Sequence, residues 1–122
     1  MRVFKTKSFC RWADRAGVAD IDLLGCVTEM ESGLIHADLG GHLFKQRVAL
    51  PGSGKRGGAR TVLATRFVGV CFFLFGFEKN DRDNATPREL ALYRQLGAEL
   101  LEMNDAQIAA ALAGDVLTEV TP

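Results

Sequence analysis

The sequence predicts an α+β fold, in which an antiparallel or mixed β-sheet packs against an N-terminal pair of helices and against helices near the C-terminus. Two observations support this class. Apolar residues recur at helical spacing near both ends of the chain, and four segments between them have the composition and alternation of strands. The 122 residues fit one domain spanning residues 1–122, which can bury a core without disulfides or a bound metal.

One strand and two helices are predicted at the start of the chain. Residues 2–5 fit a short strand, and helical spacing of apolar residues predicts a helix over residues 7–16 that ends at Gly17. A second helix is expected to start at Asp20 or a neighbouring cap and to close at Gly33. We expect the two helices to pack as an antiparallel pair.

The middle of the chain contains four strand-like segments. They cover residues 34–39, 43–50, 59–67 and 68–79. Gly40-Gly41 is a hairpin signal, and Pro51 ends the second segment because proline cannot donate to the ladder. Residues 51–58 are expected to form a glycine-rich loop. The run VCFFLFGF is apolar on both faces, which is typical of a central strand.

Two helices are predicted after the strands. Thr86 can cap the first, Pro87 suits its first position, and Glu89 completes a capping box. An apolar face continues to Leu101. Asn104 repeats the start signal for a short Ala-rich helix.

The charge is unevenly distributed, although the formal net charge is zero. Residues 1–41 carry −1, residues 42–82 carry +6 and residues 83–122 carry −5. A cluster of one sign attracts ligands of the other sign, whatever the total. The alternative is a plain charged surface in water, which the density of arginine and the absence of nearby acids for it to pair with make less favoured. The basic segment therefore predicts a binding surface for a polyanion.

Strand alternation places several of these cations on one surface of the sheet. Lys45 and Arg47 point to one side of their strand, and Arg60 and Arg66 share a face of the next. Arg47 and Arg60 can lie near each other across the hairpin, and Lys79 leaves the end of the last strand.

Targeting segments and metal ligands are not evident in the sequence. No apolar run approaches the roughly 20 residues needed to cross a bilayer, and MRVFKTKSF lacks the apolar stretch of a signal peptide. The three cysteines form no CxxC pair and no Cys/His metal spacing. We expect a cytoplasmic protein with buried, reduced thiols, no membrane contact, no metal and no cofactor.

Acid–base groups are scarce. His36 is expected to be structural and His42 to be a turn residue that could titrate. GSGKR lacks the first glycine, the Ser or Thr and the following helix of a nucleotide-binding P-loop. Catalysis by Lys and Arg would suit RNA, because its 2′-OH is an internal nucleophile.

Three segments together resemble the RelE/HigB branch of type II toxins, in the RelE/ParE superfamily. They are LFKQRVALPGSGKRGGARTVLATRF, the strand end FGFEKND and the helix start TPREL. The likeness is good over residues 34–103 and extends only to layout over residues 7–33. It implies a RelE-like fold and an mRNA interferase that enters the ribosome and cleaves message without metal. It also implies an antitoxin, often of helix-turn-helix type, that neutralises the toxin and binds promoter DNA.

The resemblance implies roles for residues of the basic segment. Lys45 is a candidate for proton transfer or phosphate binding, and Arg47 for a phosphate clamp. Arg60 would stabilise the transition state, and Lys79 would contact the leaving group or a phosphate. The candidate RNA-binding residues are Lys55, Arg56, Arg66, Asn80 and His42.

One departure from the family pattern leaves alternatives open. RelE-like toxins place a tyrosine near the C-terminus to stack on a base, whereas this chain has only Tyr93, expected on a core-facing side of its helix. Phe77 could offer a stacking face, but its apolar neighbours suggest burial. The alternatives are a ParE-like or degenerate toxin fold that binds a protein without catalysis, and a nucleic-acid-binding regulator.

Overall fold

The computed structural model describes residues 1–52, 54–82 and 84–122, without the side chains of residues 54–57. The described residues form six strands and four helices. Their bounds are β1 Arg2–Thr6, α1 Lys7–Ala16, α2 Asp20–Glu31, β2 Ala37–Gly40, β3 Leu43–Leu50, β4 Gly54–Thr65, β5 Val70–Glu78, α3 Pro87–Leu101, α4 Asp105–Ala113 and β6 Leu117–Glu119. The predicted α+β class is confirmed.

The strands form one mixed sheet in the order β2-β3-β4-β5-β1-β6. β1 runs parallel to β5, and the other neighbours are antiparallel. β5 lies in the interior of the sheet and is buried on both faces, as its apolar sequence predicted.

Helices cover both faces of this sheet. On the α1/α2 face, Phe9 packs on Phe73 with ring centroids 5.3 Å apart, within a cluster that includes Leu23 of α2. On the α3/α4 face, Leu100 and Ile108 join a second cluster with side chains of β3, β4 and β5. None of the described helices is long and apolar enough to cross a membrane.

β2 begins at Ala37, three residues later than the predicted strand over residues 34–39. The reason is that a side chain of β3 makes hydrogen bonds to this backbone in place of the usual pairing between strands. The Gln46 amide donates to the Leu34 carbonyl at 2.8 Å, and its oxygen accepts from the His36 N–H at 2.8 Å. The backbone before β2 is therefore held by one buried glutamine and not by strand pairing.

The prediction of a glycine-rich loop over residues 51–58 was partly wrong. β4 already begins at Gly54, which pairs with Leu50 of β3. At its other end β4 stops at Thr65, because Phe67 takes a left-handed φ of 59° in the turn to β5. The strands predicted over residues 59–67 and 68–79 are therefore separated by a turn over residues 66–69, which the prediction did not include.

The helix starts after the sheet agree with the prediction. The Thr86 hydroxyl accepts from the Glu89 N–H at 3.1 Å, and the Glu89 carboxylate accepts from the Thr86 N–H at 2.8 Å. The sequence did not predict β6, which pairs antiparallel with β1. Cys26 and Cys71 are buried as expected, whereas Cys10 is half-buried.

Candidate functional site

Strand register brings the predicted cations together in one row. Arg47 of β3 lies opposite Arg60 of β4, and Arg60 lies opposite Phe77 of β5. Lys45 is two residues along β3, on the same side of the strand as Arg47. We call Lys45, Arg47 and Arg60 the basic cluster. Its formation confirms the prediction that Arg47 and Arg60 lie near each other.

The basic cluster lies on the α3/α4 face, beyond the end that the helices cover. Leu43, at the start of β3, is fully buried in the helix-covered cluster. Two residues further along β3, Lys45 is half-buried, and Arg47 is exposed. Arg60 is the exception, because it is only 6% exposed. Burial holds the Arg60 guanidinium in a fixed place, where its Nη1 donates to the Ala59 carbonyl at 3.2 Å.

The charges of the cluster disfavour one another. Burial lowers the pKa of Arg60, and the neighbouring Arg47 lowers it further. Burial also lowers the pKa of Lys45, with additional contributions from Arg60 and Arg47. Like charges in proximity repel one another and attract an anion. The cluster therefore has the charge expected of an anion-binding surface.

Arg82 and Asn84, beyond the end of β5, lie beside this site. The Lys45 Nζ donates to the Asn84 Oδ1 at 2.7 Å, which orients the lysine. Arg82 lies over the rings of Phe75 and Phe77, at 4.8 and 5.5 Å from their centroids. Its guanidinium also binds both oxygens of Glu89 in α3, at 2.6 and 3.0 Å.

The remaining predicted residues near this end are Lys79 and Asn80, both exposed just after β5. The Lys79 N–H donates to the Gly58 carbonyl at 3.2 Å, beside the β4 segment that carries Arg60. Lys79 is thus at the same end of the sheet as the basic cluster. The side chains of Lys55 and Arg56 fall outside the described part of the structure.

Arg66 and His42 lie at the opposite end of the sheet. Arg66 pairs with Glu102 at 2.8 Å, and the His42 carbonyl accepts from the Thr65 N–H at 3.0 Å. Since Leu43 pairs with Ala64, whereas Arg47 pairs with Arg60, these groups are at least four strand residues, or about 13 Å, from the Arg47–Arg60 pair. The structure does not bring them to the basic cluster.

Within the part of the chain that the structure describes, the expectation that the basic segment lacks nearby acids was wrong for Arg66 and Arg82. Arg66 and Arg82 both pair with acids of the α3 region, Glu102 and Glu89. The sequence concealed these pairs because the acids come from the C-terminal third of the chain.

His36 is a candidate that the sequence reasoning set aside. It lies just before β2 and is exposed, not buried in an apolar strand. Burial lowers its pKa, and Arg47, Lys45 and Arg60 lower it further, which keeps the imidazole neutral near neutral pH. The pairing of Ala37 with Lys45 explains its position beside the cluster.

Tyr93 and Phe77, the aromatic residues considered for base stacking, pack against other parts of the protein. Tyr93 stacks on Phe75 with centroids 5.0 Å apart and an interplanar angle of 28°. It is half-buried beside the α3/α4 cluster. Phe77 is only 4% exposed, in agreement with the predicted burial. Within the described residues, no group of three or more His, Cys, Asp or Glu side chains could hold a metal ion.

The fold and the site define a small α+β protein whose mixed sheet carries a cluster of Lys and Arg at one end of one face. A family model described as "RelE toxin of RelE / RelB toxin-antitoxin system" matches residues 1–120. The chain belongs to this toxin family, and membership implies an antitoxin as its partner. The match also extends the resemblance seen in residues 34–103 to almost the whole chain. Searches of curated proteins and of solved structures found no match.

Proposed function

We propose that this toxin is a ribosome-dependent endoribonuclease that cleaves mRNA and thereby stops translation. The basic cluster is the observation that carries the proposal. Arg47 and Arg60 are direct partners in the β3–β4 register, and Lys45 lies beside them on the same face. RNA fits this site because its phosphates carry the opposite charge and its 2′-OH supplies the nucleophile.

The reaction needs charge stabilisation and two proton transfers. The 2′-oxygen attacks the phosphorus, the bond from phosphorus to the 5′-oxygen breaks, and the products are a 2′,3′-cyclic phosphate and a 5′-hydroxyl. Arg60, fixed by its burial on β4, would stabilise the negative charge that grows on the phosphorane oxygens. Arg47, which is exposed, would bind the incoming phosphate. A preorganised donor of this kind contributes about 10²–10³ in rate.

Lys45 is the proposed proton donor to the 5′-oxygen. Its lowered pKa makes the ammonium a stronger acid than an ordinary lysine, and the bond to Asn84 orients it. His36 is the proposed acceptor for the proton of the 2′-OH, because its lowered pKa maintains the neutral form. Lys79, at the same end of the sheet, would contact the phosphate on the leaving side.

The ribosome would supply the alignment. In-line attack requires the 2′-oxygen, the phosphorus and the 5′-oxygen to be nearly collinear, and positioning of this kind supplies much of the rate of such reactions. The antitoxin would silence the enzyme by covering the basic cluster with an acidic segment. We expect a helix-turn-helix antitoxin that also carries the complex to promoter DNA.

A reconstituted translation system with one defined message tests the proposal. We expect new 5′-hydroxyl ends when toxin and ribosomes are both present, and no cleavage of free RNA at the same toxin concentration. A message with a 2′-deoxy nucleotide at the cleaved position should resist cleavage there. Arrested translation with an intact message would refute the nuclease and support the alternative, a non-catalytic toxin fold that binds a protein target.

A further inference from the structure

A cleft lies beside the basic cluster, at the point where β5 extends beyond β1. β1 pairs with β5 only as far as Lys5 opposite Phe73, whereas β5 continues to Glu78. The free edge of β5 forms the floor of the cleft, and α1 and α3 contribute its walls. The volume is about 470 Å³, which is within the usual size of a small-ligand site.

Trp12 forms the α1 wall. A Cβ atom at Gly76 would lie 2.3 Å from two carbons of the indole, so the ring packs directly on the glycine backbone of β5. Phe9 supports it from the core side, with centroids 5.4 Å apart. Trp12 remains half-buried, and it lines the cleft. The indole is therefore held in place with part of its surface available.

Three cations line up on α1 next to this indole. Lys7, Arg11 and Arg15 are four residues apart, so they form one stripe along the helix, and all three are exposed. None of them forms an ion pair within the described residues. Arg15 also lines the cleft. We call these residues the α1 stripe.

The opposite wall is aromatic and continuous with the basic cluster. It contains the stacked pair of Phe75 and Tyr93, and Arg82 lies over Phe75. Phe77 also lines the cleft, and it is the register partner of Arg60. A strand of RNA bound on the basic cluster would therefore lie directly beside the cleft.

We propose that this cleft holds one unpaired nucleobase of the bound RNA, stacked on Trp12, with neighbouring phosphates on the α1 stripe. The choice of RNA as the ligand rests on the proposed function. Aromatic walls alone would also accept an apolar side chain of a partner protein. The α1 stripe favours RNA, because a cationic track beside a stacking ring is the arrangement that binds single-stranded nucleic acid.

The single tryptophan makes a direct test possible. The intact toxin is titrated with a short 2′-O-methyl oligoribonucleotide, which cannot be cleaved, and indole fluorescence is recorded. We expect saturable quenching. The variant Arg11→Ala/Arg15→Ala should bind more weakly, and its plot of log affinity against log salt should be shallower by about 1.4, as two lost phosphate contacts require. Arg88→Ala, which removes an exposed arginine of α3 outside the cleft, should behave as wild type.

A second variant separates stacking from charge. Trp12→Leu is followed with a dye-labelled oligoribonucleotide after its fold has been checked by circular dichroism. Loss of one stacked base should weaken binding by about 5- to 100-fold without changing the salt slope. If Trp12→Leu does not fold, the arginine variants decide the question.

The outcomes distinguish this inference from the proposed function. Cleavage of message in translating ribosomes, together with unquenched Trp12 fluorescence at saturating RNA, would overturn the cleft assignment alone. Quenching without cleavage would refute the nuclease and leave the cleft. Quenching by the purified antitoxin but not by RNA would identify the cleft as a protein-docking site and overturn the inference.

Discussion

Replacing Arg60 with Met tests whether this buried arginine serves the reaction or the fold. Methionine retains an unbranched side chain of similar reach but removes the charge and the planar fork. Arg60 is 6% exposed and its pKa is lowered by burial and by Arg47. Burial and Arg47 both act against the charged form of Arg60, and we expect that charge to serve the ligand.

Two effects of Arg60→Met are expected, one on the rate of cleavage and one on the free energy of unfolding. Loss of a preorganised donor at the phosphorane should slow cleavage by about 10²–10³, which corresponds to about 3–4 kcal/mol of transition-state stabilisation. The change in the free energy of unfolding should be smaller than this loss in catalysis, because methionine fills a similar volume at the buried position. Arg60→Lys should fall between wild type and Arg60→Met in cleavage, because it keeps the charge without the fork.

The assay pairs cleavage of a defined message on ribosomes with thermal unfolding of the same preparation. Arg88→Met is the matched control, because it makes the same chemical change on the exposed surface of α3. It should match wild type in both measurements. A lower unfolding temperature for Arg60→Met, with cleavage at the wild-type rate, would show that Arg60 holds the β3–β4 hairpin together and would refute the assigned role.

Three further predictions concern the fold around the site. Gly97→Ala should destabilise the protein by about 1–3 kcal/mol, because its Cβ would lie 2.9 Å from the Cβ of Ala64. Gly25→Ala is the control: a Cβ there in mid-α2 would have nothing within 4 Å, so this variant should be more stable by about 0.5–1 kcal/mol. Equal effects of the two variants in urea unfolding would contradict the packing described for Gly97. Thr86→Ala should cost about 1 kcal/mol in the same assay, since it removes the cap of α3. The pKa of His36 is lowered in the folded protein, so the unfolded chain takes up the proton first on acidification. Lowering the pH through the ordinary histidine pKa should therefore lower the unfolding temperature of wild type more than that of His36→Gln. Parallel pH profiles of the two proteins would show that the basic cluster does not lower the pKa of His36.

The basic cluster could be predicted from the sequence because its geometry is local. Alternation fixes the side of β3 on which Lys45 and Arg47 lie, and a hairpin closed near Pro51 brings Arg60 opposite Arg47. The apolar run of β5 likewise required an interior position. These inferences need only a period of two and a short turn, both of which are visible in the sequence.

The missed features depend on contacts between distant parts of the chain. The pairing of β1 with β5 joins residues nearly seventy positions apart, such as Arg2 and Val70, and no local pattern specifies it. The pair of Arg82 with Glu89 spans two predicted elements. The position of His36 depends on the Gln46 side chain, which replaces three residues of strand pairing. Helical spacing by itself gives Trp12 only a place on an apolar face of α1, and its proposed role in the cleft requires knowing where β1 ends.

A difference in strand length links the two proposed sites. At the helix-covered end, the positive charge of the basic segment is neutralised, as Arg66 is by Glu102. β1 ends earlier than β5, and β2 pairs with only the first part of β3, so β3, β4 and β5 project beyond their neighbours. That projection carries Arg47 and Arg60 on one face and leaves the β5 edge open beside Trp12. Under the two proposals, one extension of the sheet would supply both the cationic cluster for the scissile phosphate and the aromatic cleft for an adjoining base, in the order in which a single RNA strand would meet them.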